Sequence, residues 1–180
     1  MTTAIQQPTA TRETAKILCE LIVSQMNLRT TDVSIYNQKR DLTKKKGIWV
    51  DVAIIGETTV ASTTRPVNDP LQTDLTEVQT ISQQEILQID IMSADDSARM
   101  RRKEVIFALS GTAAQQAAET YSLKISNIPQ SFVDVSEVEA SARLNRYAIT
   151  VTVLRAYSIV RTIPTFTVFQ NPPQKLLVNP

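Results

Sequence analysis

Residues 77–121, EVQTISQQEILQIDIMSADDSARMRRKEVIFALSGTAAQQAAETY, decide the fold. Within Glu85–Met92, Leu87, Ile89 and Ile91 alternate with Gln88 and Asp90. A period of two sends the apolar side chains to one face of a strand and the polar ones to the other. Ile86 and Met92 interrupt the polar face, which predicts partial cover there. At Ser93–Ser97 the pattern changes. Ser93 or Asp95 can cap the free N–H groups of a helix, and Asp95 and Asp96 suit its positive end. Ala98, Arg102, Val105, Ala108 and Leu109 then recur at helical spacing. Gly111 interrupts the run, and a second helix is expected over Ala113–Tyr121. The unit is strand, cap, helix, and the rest of the chain must pack against it.

Upstream, residues 1–10 are Thr/Gln-rich with Pro8 and read as a flexible arm. A helix is expected from about Thr11 to Asn27, with Ala15, Leu18, Cys19, Ile22 and Met26 on one face. Cys19 lies inside that stripe and reads as a buried structural thiol. Val33–Gln38 is a short strand candidate, followed by the basic connection 39–46. Ile48–Ile55 alternates strongly, and its half-apolar second face predicts a central strand, with Trp49 covering a core edge or a contact surface. Residues 56–80 are polar and Thr-rich, with Pro66 and Pro70. A long loop or an extended hairpin fits that excursion better than a helix.

Downstream, Leu123–Phe132 reads as a connection, and Val133, Val135 and Val138 suggest a short strand or bend. Arg143–Ala156 is a second strong strand, with Tyr147, Ile149, Val151 and Val153 on one face. Extended character continues to Val168, with Pro164 placing it at an edge or a bulge. The sum is one α+β domain over 11–169, with helices on one face of a mainly antiparallel or mixed sheet of four to six strands. A Pro-rich arm, 170–180, follows it.

Composition narrows the chemistry. A chain of 180 residues can bury roughly 70% of its unfolded surface, so it needs no staples. Nineteen basic against 18 acidic residues give a net charge of +1, which argues against a generally basic nucleic-acid binder. One Cys allows no internal disulfide. Zero His removes His-based triads, His-ligated metals and imidazole acid–base catalysis. No apolar run approaches the roughly 20 residues of a membrane span. No phosphate-binding, nucleophile or metal motif is present, so catalytic, cofactor and metal sites are all expected to be absent. Asp95 and Asp96 diverge at a helix start, and with Asp90 they lack the spacing of a calcium loop.

Two basic clusters stand out. Lys39, Arg40, Lys44, Lys45 and Lys46 read either as a solvated hairpin tip or as a surface for an acidic partner or phosphate backbone. Arg99, Arg101, Arg102 and Lys103 read as spread around their helix, in salt bridges or subunit contacts.

The stretches QQEILQIDIMSADDSARMRRKEVIFAL and ARLNRYAITVTVLRAYSIVRTIPTF, with Arg143, Arg146 and Arg155 in the second, resemble the tail terminator (neck terminator, tail completion) proteins of tailed bacteriophages. The resemblance spans residues 11–168. The excursion at 56–80 and the Pro-rich tail depart from the smaller members. The resemblance implies a structural virion protein, not an enzyme, assembled in the host cytoplasm and located at the head-proximal end of the tail. It implies a homohexameric ring that caps the tail-tube protein, stops polymerisation of tube and sheath, and meets the head-completion or connector protein. Genomic DNA would pass through the lumen without sequence-specific binding. On this reading Lys39, Arg40, Lys44, Lys45, Lys46 and Arg65 face axial partners or the lumen, and Leu176, Leu177 and Val178 reach a neighbouring subunit. The alternatives are another phage structural subunit (head-completion, tail-tube or baseplate) and a small nucleic-acid-binding module using residues 39–46.

Overall fold

The computed structural model describes residues 13–35, 47–67, 75–139 and 142–163. Helix α1 (Thr14–Met26) opens the chain, and a 3₁₀ turn (Thr30–Asp32) leads into β1 (Val33–Ile35). Two long strands follow, β2 (Ile48–Val67) and β3 (Leu75–Ser93). Helices α2 (Ser97–Ser110) and α3 (Thr112–Thr120) come next. The chain then forms β4 (Leu123–Ser126), β5 (Val133–Asp134), β6 (Glu137–Glu139) and the long β7 (Ala142–Ile163).

The strand order is β1-β2-β3-β7-β4, with β5 and β6 also pairing along β7. β1 runs parallel to β2, and the other pairs are antiparallel, so the sheet is mixed and the class is α+β. One face carries Val50 and Val52 from β2, Leu87, Ile89 and Ile91 from β3, and Ile149, Val151 and Val153 from β7, all buried. They form one apolar cluster with Ile17, Leu18 and Ile22 of α1 and Val105 and Leu109 of α2. Burying such side chains stabilises the fold by about 1.5–3 kcal/mol each. Cys19 is buried in the same cluster, as its place in the stripe predicts.

The strand–cap–helix unit forms as the sequence requires, and both expected caps act. The Ala98 N–H donates to Ser93 Oγ at 2.9 Å, and the Ser97 N–H donates to Asp95 Oδ1 at 2.9 Å. Hydrogen bonds from Ser97 hold the Asp95 carboxyl below the usual carboxylate range. Asn145 Nδ2 donates to the Asp95 carbonyl at 2.7 Å, tying the start of β7 to this junction. Gly111 ends α2 and begins α3: its N–H donates to the Phe107 carbonyl at 2.9 Å, and its own carbonyl accepts from Ala114. A Cβ at position 111 would stand 3.0 Å from the Phe107 carbonyl oxygen, so a side chain there would crowd the end of α2.

Of the long loop and the extended hairpin expected for the polar excursion, the hairpin forms over its described residues: β2 runs on to Val67, and β3 begins at Leu75. Two expectations need correction. Residues 123–126 are a strand rather than a connection, because β7 offers them an open edge at Thr152–Arg155. Trp49 lies on the face away from the helices and is buried rather than merely covering an edge. The arms 1–10 and 170–180, and residues 36–38 of the first strand candidate, lie outside the described residues.

Candidate functional site

The most distinctive surface is made by the distal halves of the three long strands. β2 pairs with β3 from Ile48↔Ser93 to Val67↔Thr76, and β3 pairs with β7 from Ser93↔Asn145 to Leu75↔Ile163. The helices cover only the first half of this ladder. Beyond it, residues 57–66 of β2 are exposed throughout, and Leu154, Ala156, Ser158 and Val160 of β7 are exposed as well. At about 3.3 Å per residue, the ribbon runs some 30 Å past the body.

Register irregularities between Ile54 and Gly56 and between Thr59 and Ala61 mark its start. Such bulges bend a strand and tighten its twist, turning the ribbon relative to the body sheet. The composition beyond them is rich in Thr, Ser and Gln with interspersed Val, Ile and Tyr; it carries Glu57, Arg65, Glu77 and Arg161 and contains no lysine. Of these, Thr, Val, Ile and Tyr are the strand-favouring residues. In one rung, Thr63, Thr80 and Ser158 lie in register, with Thr80 Oγ1 and Ser158 Oγ 3.0 Å apart.

A buried polar clasp joins ribbon to body. Glu85 and Arg155 are each 3% exposed although both are charged. The Tyr157 hydroxyl donates to Glu85 Oε1 at 2.8 Å, and Arg155 Nη1 donates to Thr14 Oγ1 of α1 at 2.9 Å. The Arg155 guanidinium also lies 5.1 Å from the Tyr157 ring centroid. Burial, then the hydrogen bond to Glu85 and its charge, push the Tyr157 hydroxyl up to about 12, so it stays protonated and keeps donating. Glu85 Oε2 and Arg155 Nε and Nη2 have no hydrogen-bond partner among the described residues. The clasp therefore positions the ribbon at a desolvation cost rather than adding a fully satisfied network.

A second surface lies on α2. Arg99, Arg102 and Lys103 stand at i, i+3 and i+4, so they share one side of the helix, contrary to the expectation that the run is spread around it. They line a hollow of about 520 Å³ with Gln130, Phe132, Asp134 and Tyr147. Arg102 stacks 4.7 Å from the Tyr147 ring centroid. Only Arg101 leaves the group: it pairs with Glu104 at 2.7 Å and donates to the Met26 carbonyl at the end of α1. Met100 and Phe107 are exposed on the same helix.

Of the sequence candidates, Arg65 lies exposed on the ribbon, in register with Val78 and Val160. Lys39, Arg40, Lys44, Lys45, Lys46, Leu176, Leu177 and Val178 lie outside the described residues. The acidic residues considered for metal binding serve other ends. Asp90 is buried, accepts from Gln88 and pairs with Arg146 at 2.8 Å, while Asp95 caps α2. No cluster of metal-ligating side chains occurs among the described residues. No helix among them is long and apolar enough to cross a membrane. Sequence reasoning missed the ribbon's edges and the Glu85–Tyr157 clasp. The one signal for the ribbon was the Thr- and Val-containing, lysine-free composition of 56–66 and 154–163; the clasp left none.

Searches against protein-family models and against curated proteins find no match to this chain.

Proposed function

We propose that this chain is a structural virion protein of a tailed phage, a tail terminator. It acts by assembly rather than catalysis, closing into a ring of about six copies at the neck. The ring caps the tail tube, stops its growth and presents a surface to the head connector. The observation that supports this reading best is the ribbon: a body with a complete core carries a long β-surface exposed on both faces. A long exposed ribbon whose edge strands show unpaired N–H and C=O groups is a ready template for contact with other chains. Arg65 near its tip and the Arg99–Lys103 side of α2 supply charges that fit axial partners. The same ribbon would serve a tail-tube subunit, which is the second reading.

Negative-stain microscopy with native mass spectrometry on concentrated protein separates them. Closed rings of one stoichiometry are expected. Long tubes would move the assignment to a tube protein. A monomer that ignores tail-tube ends and binds DNA with a steep salt dependence would overturn both.

A further inference from the structure

Among the described residues the ribbon has two open edges. On one side, β1 pairs with β2 only at Val50–Val52, so residues 57–66 have no described strand beside them. On the other side, the last described partner of β7 is β4, which ends at Arg155. Residues 156–163 then continue pairing with β3 alone among the described residues. Both edges are solvent-exposed along most of their length. β2 and β7 run in the same direction, because each is antiparallel to β3. The two edges are similar in length and lie at the same height, rung by rung: Ser62–Ile81–Tyr157, Thr63–Thr80–Ser158, Thr64–Gln79–Ile159.

From these edges we infer that copies of this chain join by parallel strand pairing, the 156–163 edge of one against the 57–66 edge of the next. The inference rests on the ring reading above and names its contact. An open edge presents a row of unpaired N–H and C=O groups, and proteins that must stay single blunt such edges with lysines, inward charges or short strands. Along 57–64 this edge carries no lysine and one charge, Glu57 at its base, and beyond the bulge between Thr59 and Ala61 the run Ala61–Thr64 keeps a regular register. Pro66, which lacks an N–H donor, and Arg65 occur only near the tip, where they limit pairing to the stretch below. The two edges differ from one another and face opposite ways, so the contact is head-to-tail and continues from copy to copy until it closes. Val60, Thr63 and Thr64 on one edge and Tyr157, Ile159, Val160 and Thr162 on the other supply the cross-strand side-chain pairs that hold a register.

The test uses the full chain with Cys19→Ser and two further cysteines, one at Ser158 and one at Ala61, Thr63 or Arg65. Side chains of directly paired parallel strands point to the same side, so one of these three registers should oxidise to disulfide-linked multimers. Ser62→Cys or Thr64→Cys with Ser158→Cys places the thiols on opposite faces and should not link. Within one chain, Thr63 and Ser158 are two strands apart, about 9.5 Å, beyond the reach of a disulfide. The expected result is a ladder of linked chains ending at the size of the native assembly, in one register only. Thr63→Lys combined with Ser158→Lys should dissociate the assembly while leaving the circular dichroism of the subunit unchanged. Rings that form with no linkage in any register overturn the edge pairing and leave the ring reading intact. A protein that stays monomeric, links in no register and ignores tail-tube ends overturns both.

Discussion

The proximal and distal halves of the same three strands live under different physics. In β3, Leu87, Ile89 and Ile91 are fully buried under the helices, whereas Gln79, Thr80 and Ser82 further out lie in a two-sided ribbon. In β7, Val151 and Val153 are fully buried and Val160 is 42% exposed. The hydrogen-bond ladder is continuous across the boundary, and only the cover changes. The proximal half is held by burial. The distal half is held by backbone pairing and β-favouring side chains, and keeps both faces available. One long strand thus supplies core at one end and exposed, backbone-held surface at the other.

Substitutions should split along that boundary. The largest effect is expected for Ile89→Ala, which opens a cavity under the helices and should cost about 2–5 kcal/mol in urea unfolding. If Val160→Ala cost as much in the isolated subunit, the division would fail; the expected change is within about 0.5 kcal/mol, as for other exposed positions.

The helix junction should come next. Ser93→Ala removes the cap on the Ala98 N–H and should cost about 1–2 kcal/mol, with α2 fraying visible in amide exchange. Arg101→Ala breaks a half-exposed pair and its bond to the Met26 carbonyl, so about 1 kcal/mol or less is expected. A larger loss for Arg101 than for Ser93 would mean that the α1–α2 tie matters more than the cap.

The clasp at the boundary gives a smaller, pH-dependent signal. The Tyr157 hydroxyl is raised to about 12, first by burial and then by Glu85. The folded protein therefore holds this proton more tightly than the unfolded chain does. The stabilisation is fully present below about pH 10 and is lost as pH rises toward 12. Glu85→Gln removes the charge but leaves the burial, so the phenolate absorbance of Tyr157 should titrate lower, yet still above its ordinary value. An unchanged titration in Glu85→Gln would detach Tyr157 from the clasp.

Much of the body was legible because its signals are local. The Leu87–Ile91 alternation, the Ser93 and Asp95 caps and the Tyr147–Val153 alternation each lie within a few residues, and each predicted its element. The ribbon was not legible in the same way. Thr58, Thr59, Ser62, Thr63 and Thr64 are polar on both faces, so they show no hydrophobic period, and a long loop fitted as well as a hairpin. The shared side of Arg99, Arg102 and Lys103 was present in the spacing and was misread. The clasp was hidden for another reason: Thr14, Glu85 and Arg155 are far apart in the chain and meet only through sheet register and helix packing.

By itself, then, the sequence determined the α+β class, the buried face and the strand–cap–helix unit, because periodicity and capping act over one or two turns or a few rungs. Only the tertiary structure decided how far the strands run, which charges are buried together and which edges have no described strand beside them. Those depend on long-range pairing between Thr63, Thr80 and Ser158, where no local pattern specifies the partner.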